Sequence, residues 1–304
     1  MIGYDKCELC PRRCLVNRHE SRGFCGQSDE IRIARAALHL WEEPCISIGA
    51  GSGAVFFSGC TLRCCFCQNH EISHEGKGYN VSTSELAEIF LKLQDEAAEN
   101  INLVSPTPFV PSIIEALDMV RGKLMIPVVY NCGGFESVET IKALEGYVGI
   151  YLPDVKYFSD EYAKEFSGCL GGYFETAISA VREMQRQVGK PEFDEIGKLL
   201  RGVIVRHMVL PTLRKDSMAV LRALRENFEP DEILLSLMCQ YVPMYKATTE
   251  ERFKKINRRV STFEYNSVLD YARELGFEGY SQERSSSDEE FVPEFFGSKE
   301  ESER

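Results

Sequence analysis

Three cysteines, Cys60, Cys64 and Cys67, stand at C-x3-C-x2-C spacing directly after the apolar run Ala54-Val55-Phe56-Phe57. Iron–sulfur clusters are held by cysteine thiolates, usually four of them. A compact loop at a strand end can turn three thiolates toward one place, and three leave one iron open to a small molecule. The same residues admit a zinc site or three buried thiols, although zinc knuckles commonly join a C-x2–4-C pair to a second, distant pair. A second group, Cys7, Cys10, Cys14 and Cys25, comes earlier at C-x2-C-x3-C-x10-C spacing, with Pro11, Gly23 and Gly26 suited to tight turns. Four thiolates make a closed site, compatible with zinc or with an auxiliary Fe–S cluster. A structural staple and an electron relay are both open to it.

Bulk composition narrows the setting. The chain has 304 residues, of which 44% are apolar, within the range of a single α/β barrel with a substantial core. Its 35 basic and 47 acidic residues leave a net charge of −12, which argues against a nucleic-acid partner. The stretch 281–304 holds eight acidic and three basic residues, and reads as an acidic, mobile tail that Phe291, Val292, Phe295 and Phe296 could dock. The N-terminus has no apolar signal region, and no run approaches the ~18 apolar residues of a membrane span. The expectation is a cytoplasmic protein without membrane contact, where 12 cysteines signal metal rather than disulfides.

The elements that would carry these residues alternate as β–α units. Strands are expected at 54–57, 101–104, 126–130, 148–152, 202–209 and 232–238. Helices are expected over 84–98, 111–121, 137–144, 175–188, 217–227, 249–260 and 263–275. About six units suggest an incomplete (β/α)6 TIM-like barrel, open on one side. The domain reading is a Cys-rich metal- or cluster-binding segment over 1–45, the partial barrel over 46–280 and the tail over 281–304. Gly49-Ala50-Gly51-Ser52-Gly53 precedes a strand, so it is not a dinucleotide fingerprint. Trp41, the only tryptophan, reads as a core or packing residue rather than a cofactor contact.

In parallel barrels, chemistry gathers at the C-terminal strand ends. Ser105 and Thr107 follow the second expected strand, Asn131 and Cys132 the third, Asp154 and Lys156 the fourth. Arg206 lies within the fifth, and Gln240 ends the sixth. Cys132 could pass a hydrogen atom to a substrate radical or be a small packed thiol. His70, His74 and His207 could contact ligand or substrate or be ordinary polar residues.

C-x3-C-x2-C with Phe66 just before the last cysteine resembles the signature of the radical S-adenosylmethionine superfamily. The resemblance implies a 4Fe-4S cluster on Cys60, Cys64 and Cys67 whose open iron chelates S-adenosylmethionine. One electron from the cluster then cleaves the sulfonium to a 5′-deoxyadenosyl radical. Cys67-Gln68-Asn69 resembles the C-H-N end of the core motif in glycyl-radical-enzyme activases, with Gln68 in place of His. Asp154-Val155-Lys156 is similar to their D-L-K motif, and 205–211 to their R-x-x-V-x-P segment, which makes Arg206 a ligand contact. Asn69, Ser105, Thr107, Asn131, Asp154, Lys156, Arg206 and Gln240 would thus bind the cofactor. Over nearly the whole chain, segments such as CPRRC, HLWEEPCIS, YLPDVKY and VRHMVLP are similar to the PflX-like group, named for its likeness to pyruvate formate-lyase activating enzyme. Where the activases carry a Gly-Gly-Glu-type motif, this chain has Leu103-Val104-Ser105-Pro106-Thr107, and its extra cysteines precede the core motif. The expected partners are a reductant such as flavodoxin or ferredoxin and, as substrate, a glycyl radical enzyme, another peptide or a small molecule. The alternatives are a non-catalytic iron–sulfur or zinc protein, acting as electron carrier or assembly factor, and a barrel whose cysteines only stabilise the fold.

Overall fold

The computed structural model describes residues 2–281, so the tail expected over 281–304 lies outside the described residues except for Ser281. Along the chain the strands are β1 (Arg32–His39), β2 (Ser52–Phe57), β3 (Tyr79–Asn80), β4 (Ile101–Val104), β5 (Val128–Cys132), β6 (Ile150–Pro153), β7 (Glu192–Phe193), β8 (Leu199–Met208), β9 (Leu234–Met238) and β10 (Gly279–Ser281). Parallel pairing runs β2-β4-β5-β6-β8-β9-β10. The first six are the expected strands; β10 adds a seventh. β1 lies antiparallel on β2 with Ala36 opposite Val55, β3 follows it, and β7 pairs with β8. The ends of the sheet do not meet, so the barrel is incomplete and open at one side.

The parallel strands are near-continuous apolar runs because both faces are buried. Side chains alternate between the two faces. Leu103, Tyr130, Tyr151, Val203 and Leu235 face the large core shared with the helices. Val129, Ile150, Leu152, Ile204 and Leu234 face the other way, against Cys45 and Ile46. The Leu199 N–H donates to the Cys45 carbonyl at 2.8 Å, fixing that segment on the inner face. Each fully buried aliphatic or aromatic side chain contributes roughly 1.5–3 kcal/mol.

Outer helices return the chain between strands. Thr83–Asp95 begins at a capping box in which Ser82 Oγ accepts from the Glu85 N–H, and Thr262–Glu274 begins at the same device on Ser261 and Glu264. Val110–Met119, Val138–Ala143, Tyr173–Val188 and Arg214–Asn227 complete the expected set. The helix expected over 249–260 is instead Lys246–Thr249 followed by a 3-10 turn, Glu251–Ile256, because Glu250 between them takes an extended conformation (φ −106°, ψ 120°). Two helices are not foreseen: the single turn His70–Ser73 after the cysteine loop, and Asp160–Ser167, stopped by Gly168 at φ 62°.

Part of the 1–45 segment enters the sheet as β1. The rest is tied down by Arg18, which is fully buried and donates to the carbonyls of Gln27 (3.2 Å) and Pro108 (2.5 Å). Trp41 is not core: it is 59% exposed, because the chain leaves β1 there before turning in at Glu43 and Cys45. No helix among the described residues is long and apolar enough to cross a membrane.

Candidate active site

The C-terminal ends of the parallel strands enclose a cavity of about 260 Å³. Cys60, Cys64, Cys67 and Asn69 reach it from the loop after β2, and Ser105 from the end of β4. Asn131 and Cys132 reach it from β5, Asp154 and Lys156 from just beyond β6, Arg206 from β8 and Gln240 from beyond β9. This placement is what strand-end chemistry requires.

At its centre lies a charged network. Arg206 Nε donates to Asp154 Oδ1 at 2.9 Å and its Nη2 donates to Asn131 Oδ1 at 2.6 Å. Lys156 Nζ donates to Asp154 Oδ2 at 2.5 Å. Burial works against the ionised carboxylate, yet Arg206 and Lys156 together hold Asp154 below the usual carboxylate range. Burial likewise opposes the charge on Lys156, and Asp154 keeps its pKa raised. Arg206 Nη1 also stands 3.8 Å from Glu42 Oε2, and Glu42 Oε1 accepts from Asn102 Nδ2 at 2.8 Å. Burial pushes both Glu42 and Glu43 up, against the opposing pull of Arg206.

Thr107 does not line this cavity. It is 3% exposed in the 3-10 turn Thr107–Phe109, and its hydroxyl donates to Glu136 Oε2 at 2.8 Å while accepting from the Tyr130 hydroxyl at 3.2 Å. The turn after Ser105, whose φ is 56°, points it away. Cys132 is 2% exposed, and burial, then Glu136, raises its thiol pKa. Glu136 itself is pushed up to about 8 by burial.

Sequence reading missed His39, Trp41 and Glu42, which also line the cavity. An acidic pair before a proline reads as a surface turn. Only the approach of that turn to the inner face of the sheet makes it part of the site.

Cys7, Cys10, Cys14 and Cys25 lie outside the cavity in a knuckle-like turn. The Leu15 N–H donates to the Cys7 carbonyl at 3.0 Å, the Arg13 N–H to the Cys10 carbonyl at 3.0 Å, and the Phe24 N–H to Cys14 Sγ at 3.2 Å. The segment clasps the core cysteine loop. Arg12 donates to the carbonyls of Thr61 (3.0 Å) and Gly168 (2.7 Å), and Arg63 to that of Phe24 (2.6 Å). The two guanidinium groups lie 3.9 and 4.8 Å from the Phe24 ring centre.

The donor chemistry fits a cluster and an amino-acid ligand. Burial pushes the Cys60 thiol up to about 12 and that of Cys67 to about 11, and raises Cys64, and a bound metal's positive charge would favour the thiolates that ligation requires. Among the described residues no three His, Cys, Asp or Glu side chains stand in single-ion geometry. A cluster takes one sulfur at each iron, so its ligands need not meet at a point. Beside the three core thiols, Lys156, Arg206, Asp154 and Asn131 offer the cations, carboxylate and amide that a zwitterion with ribose hydroxyls demands.

Comparison with known proteins agrees. The family model for the Radical SAM superfamily matches residues 54–222. An uncharacterized protein of Methanocaldococcus jannaschii is 30% identical over 285 residues, covering 90% of this chain and 76% of the relative. Among solved structures, Streptococcus suis SuiB bound to S-adenosylmethionine is similar, at TM-score 0.51 and 13% identity over 74% of this chain, which spans 48% of SuiB. Spore photoproduct lyase complexed with dinucleoside spore photoproduct is similar at TM-score 0.50 and 12% identity, covering 74% of this chain and 75% of the lyase. At such identities the two structures speak to the fold.

Proposed function

The chain belongs to the radical SAM superfamily, and from that premise we propose that Cys60, Cys64 and Cys67 hold a 4Fe-4S cluster beside which S-adenosylmethionine binds in the strand-end cavity. The superfamily uses both groups. When bound, they supply one electron and a 5′-deoxyadenosyl radical that abstracts hydrogen. The observation that carries the reading is the meeting of the three thiols with Asp154, Lys156, Arg206 and Asn131 around one cavity.

The chain's own groups divide the work. Lys156 spends one ammonium proton on Asp154 and has two more to give a ligand carboxylate. Asp154 holds Lys156 and Arg206 apart and in place, so the ligand meets cations that are already oriented. Asn69, Asn131 and Gln240 would provide amide groups for ribose hydroxyls, and Ser105 a hydroxyl for the ligand's polar groups. Phe56, Met208, Met238 and Tyr241 supply apolar walls that exclude water.

Within the superfamily, the PflX-like group is the finer assignment, supported by the D-V-K and R-H-M-V-L-P segments lying at the cavity as Asp154, Lys156 and Arg206. The substrate is then a glycine of a partner protein, with flavodoxin or ferredoxin as reductant and the cytoplasm as setting. The open side of the sheet, with Trp41 exposed at the cavity's edge, supports a macromolecular substrate. The N-terminal cysteines hold zinc or a second cluster.

Equilibrium dialysis with labelled S-adenosylmethionine tests the site. Anaerobically reconstituted protein binds it, and Arg206→Ala or Lys156→Met weakens binding at unchanged iron content. Binding that survives both changes contradicts the assignment.

A further inference from the structure

Each of the three core thiols has a hydrogen-bond donor beside it. The Leu62 N–H lies 3.5 Å from Cys60 Sγ, the Ser167 hydroxyl 3.0 Å from Cys64 Sγ, and the Ser73 hydroxyl 3.2 Å from Cys67 Sγ. Each serine is in turn backed by a second group. The Tyr157 hydroxyl is 2.8 Å from Ser167 Oγ, and His74 Nδ1 is 2.8 Å from Ser73 Oγ. Ser167 and Tyr157 are fully buried and Ser73 is 6% exposed, so water does not compete for these bonds.

Metal ligation would give these chains a direction. A cysteine bound to iron has no thiol proton, so the serine hydroxyl must donate to the sulfur. Having spent its one proton, the serine oxygen accepts from the group behind it. The chains then run Tyr157 O–H to Ser167 to Cys64, and His74 Nδ1–H to Ser73 to Cys67. The backbone keeps them in register. The Arg63 N–H donates to the Ser167 carbonyl at 2.9 Å, the Cys65 N–H to that of Phe166 at 2.7 Å, and Arg63 Nη1 to that of Ser73 at 3.2 Å.

We propose that Ser167 and Ser73 are positioning residues that donate hydrogen bonds to the ligand sulfurs of Cys64 and Cys67 and raise the cluster's reduction potential, with Tyr157 and His74 holding them as donors. The proposal rests on the assignment of the cluster to Cys60, Cys64 and Cys67. Reduction adds negative charge to the sulfurs, so a donor aimed at them stabilises the reduced state more than the oxidised one. A higher potential brings the electron within reach of a biological reductant.

The test is a redox titration, followed by electron paramagnetic resonance without S-adenosylmethionine, on reconstituted full-length protein whose iron and sulfide have been counted. Ser167→Ala and Ser73→Ala are expected to load four irons and to show more negative midpoints, by about a tenfold lower reduced fraction at fixed potential (59 mV for one electron). Tyr157→Phe, which keeps the ring, shifts in the same direction by less, and Ser73→Thr, which keeps the hydroxyl, stays at the wild-type value. Loaded alanine variants with unmoved midpoints overturn the proposal. So do alanine variants that fail to load while Tyr157→Phe loads at the wild-type midpoint, since the hydroxyls then serve folding alone. If the wild type loads no cluster, the ligand assignment itself fails and the proposal falls with it.

Discussion

Arg206 and Asp154 are joined twice. Their side chains meet at 2.9 Å between Nε and Oδ1, and their backbones form a parallel bridge in which the Val155 N–H donates to the Arg206 carbonyl at 2.8 Å. The backbone bridge extends the β6–β8 pairing past the end of β6, which is where a ligand-facing carboxylate is needed. Position and charge thus come from one piece of local structure.

Removing that charge is costly. Asp154→Asn leaves Arg206 and Lys156, 17% and 18% exposed at the side chain, without their shared counter-charge. Breaking such a pair from one side costs about 3 kcal/mol or more. The folded-state pKa of Asp154 is depressed, so its contribution is present above the unfolded value of ~3.9 and lost as pH falls through the folded one. Urea unfolding from pH 6 to 3 should show the gap between wild type and Asp154→Asn closing as pH falls; a gap independent of pH contradicts this.

Glu136 titrates the opposite way. Burial raises its pKa to about 8, so its stabilising contribution is complete below the unfolded value of ~4.3 and is lost as pH rises through about 8. Glu136→Gln keeps an acceptor for Thr107 and Tyr130 but cannot ionise. Its melting temperature relative to wild type should rise between pH 5 and pH 9. A difference that stays flat across that range would place the ionisation elsewhere.

Gly134 carries a steric demand. At φ 80°, a Cβ there would stand 1.9 Å from the Asp154 carbonyl oxygen. Gly122 has a similar φ of 78° but open space around it. Gly122→Ala should cost about 1–2 kcal/mol from backbone strain alone, and Gly134→Ala clearly more, with S-adenosylmethionine binding weakened because Asp154 is displaced. Equal losses in denaturant unfolding would show that the contact relaxes freely.

Much of this was legible in sequence. The parallel strands stand out because burial on both faces makes them unbroken apolar runs, and the polar residues at their ends fall where the cavity forms. Thr107 was misplaced because a 3-10 turn, invisible in residue spacing, rotates it toward Glu136. The helix Asp160–Ser167 was missed because its sequence, DEYAKEFS, is largely polar and buries only Ala163, Phe166 and Ser167. Ser167 is therefore found only when the fold carries it to Cys64, 103 residues away in sequence. Glu42 and Trp41 reach the cavity through a turn whose direction no local pattern encodes.

The N-terminal cysteines should behave as a metal-holding clasp. Cys10→Ser is expected to lose that metal and lower the melting temperature while the core cluster still assembles, because Arg12 and Arg63 tie the two segments through backbone carbonyls rather than through a shared ligand. Metal analysis of the wild type separates the two occupants: about four irons with zinc, or about eight irons with none. A variant that retains full metal content contradicts the assignment of Cys10 as a ligand.

The central claim is that Cys60, Cys64 and Cys67 hold the cluster at which S-adenosylmethionine is cleaved. Its most direct test is chromatographic detection of 5′-deoxyadenosine after the reconstituted protein is given dithionite and S-adenosylmethionine under anaerobic conditions. The account predicts deoxyadenosine from the wild type and none from Cys60→Ala, Cys64→Ala or Cys67→Ala. Cleavage that persists in those variants would contradict it.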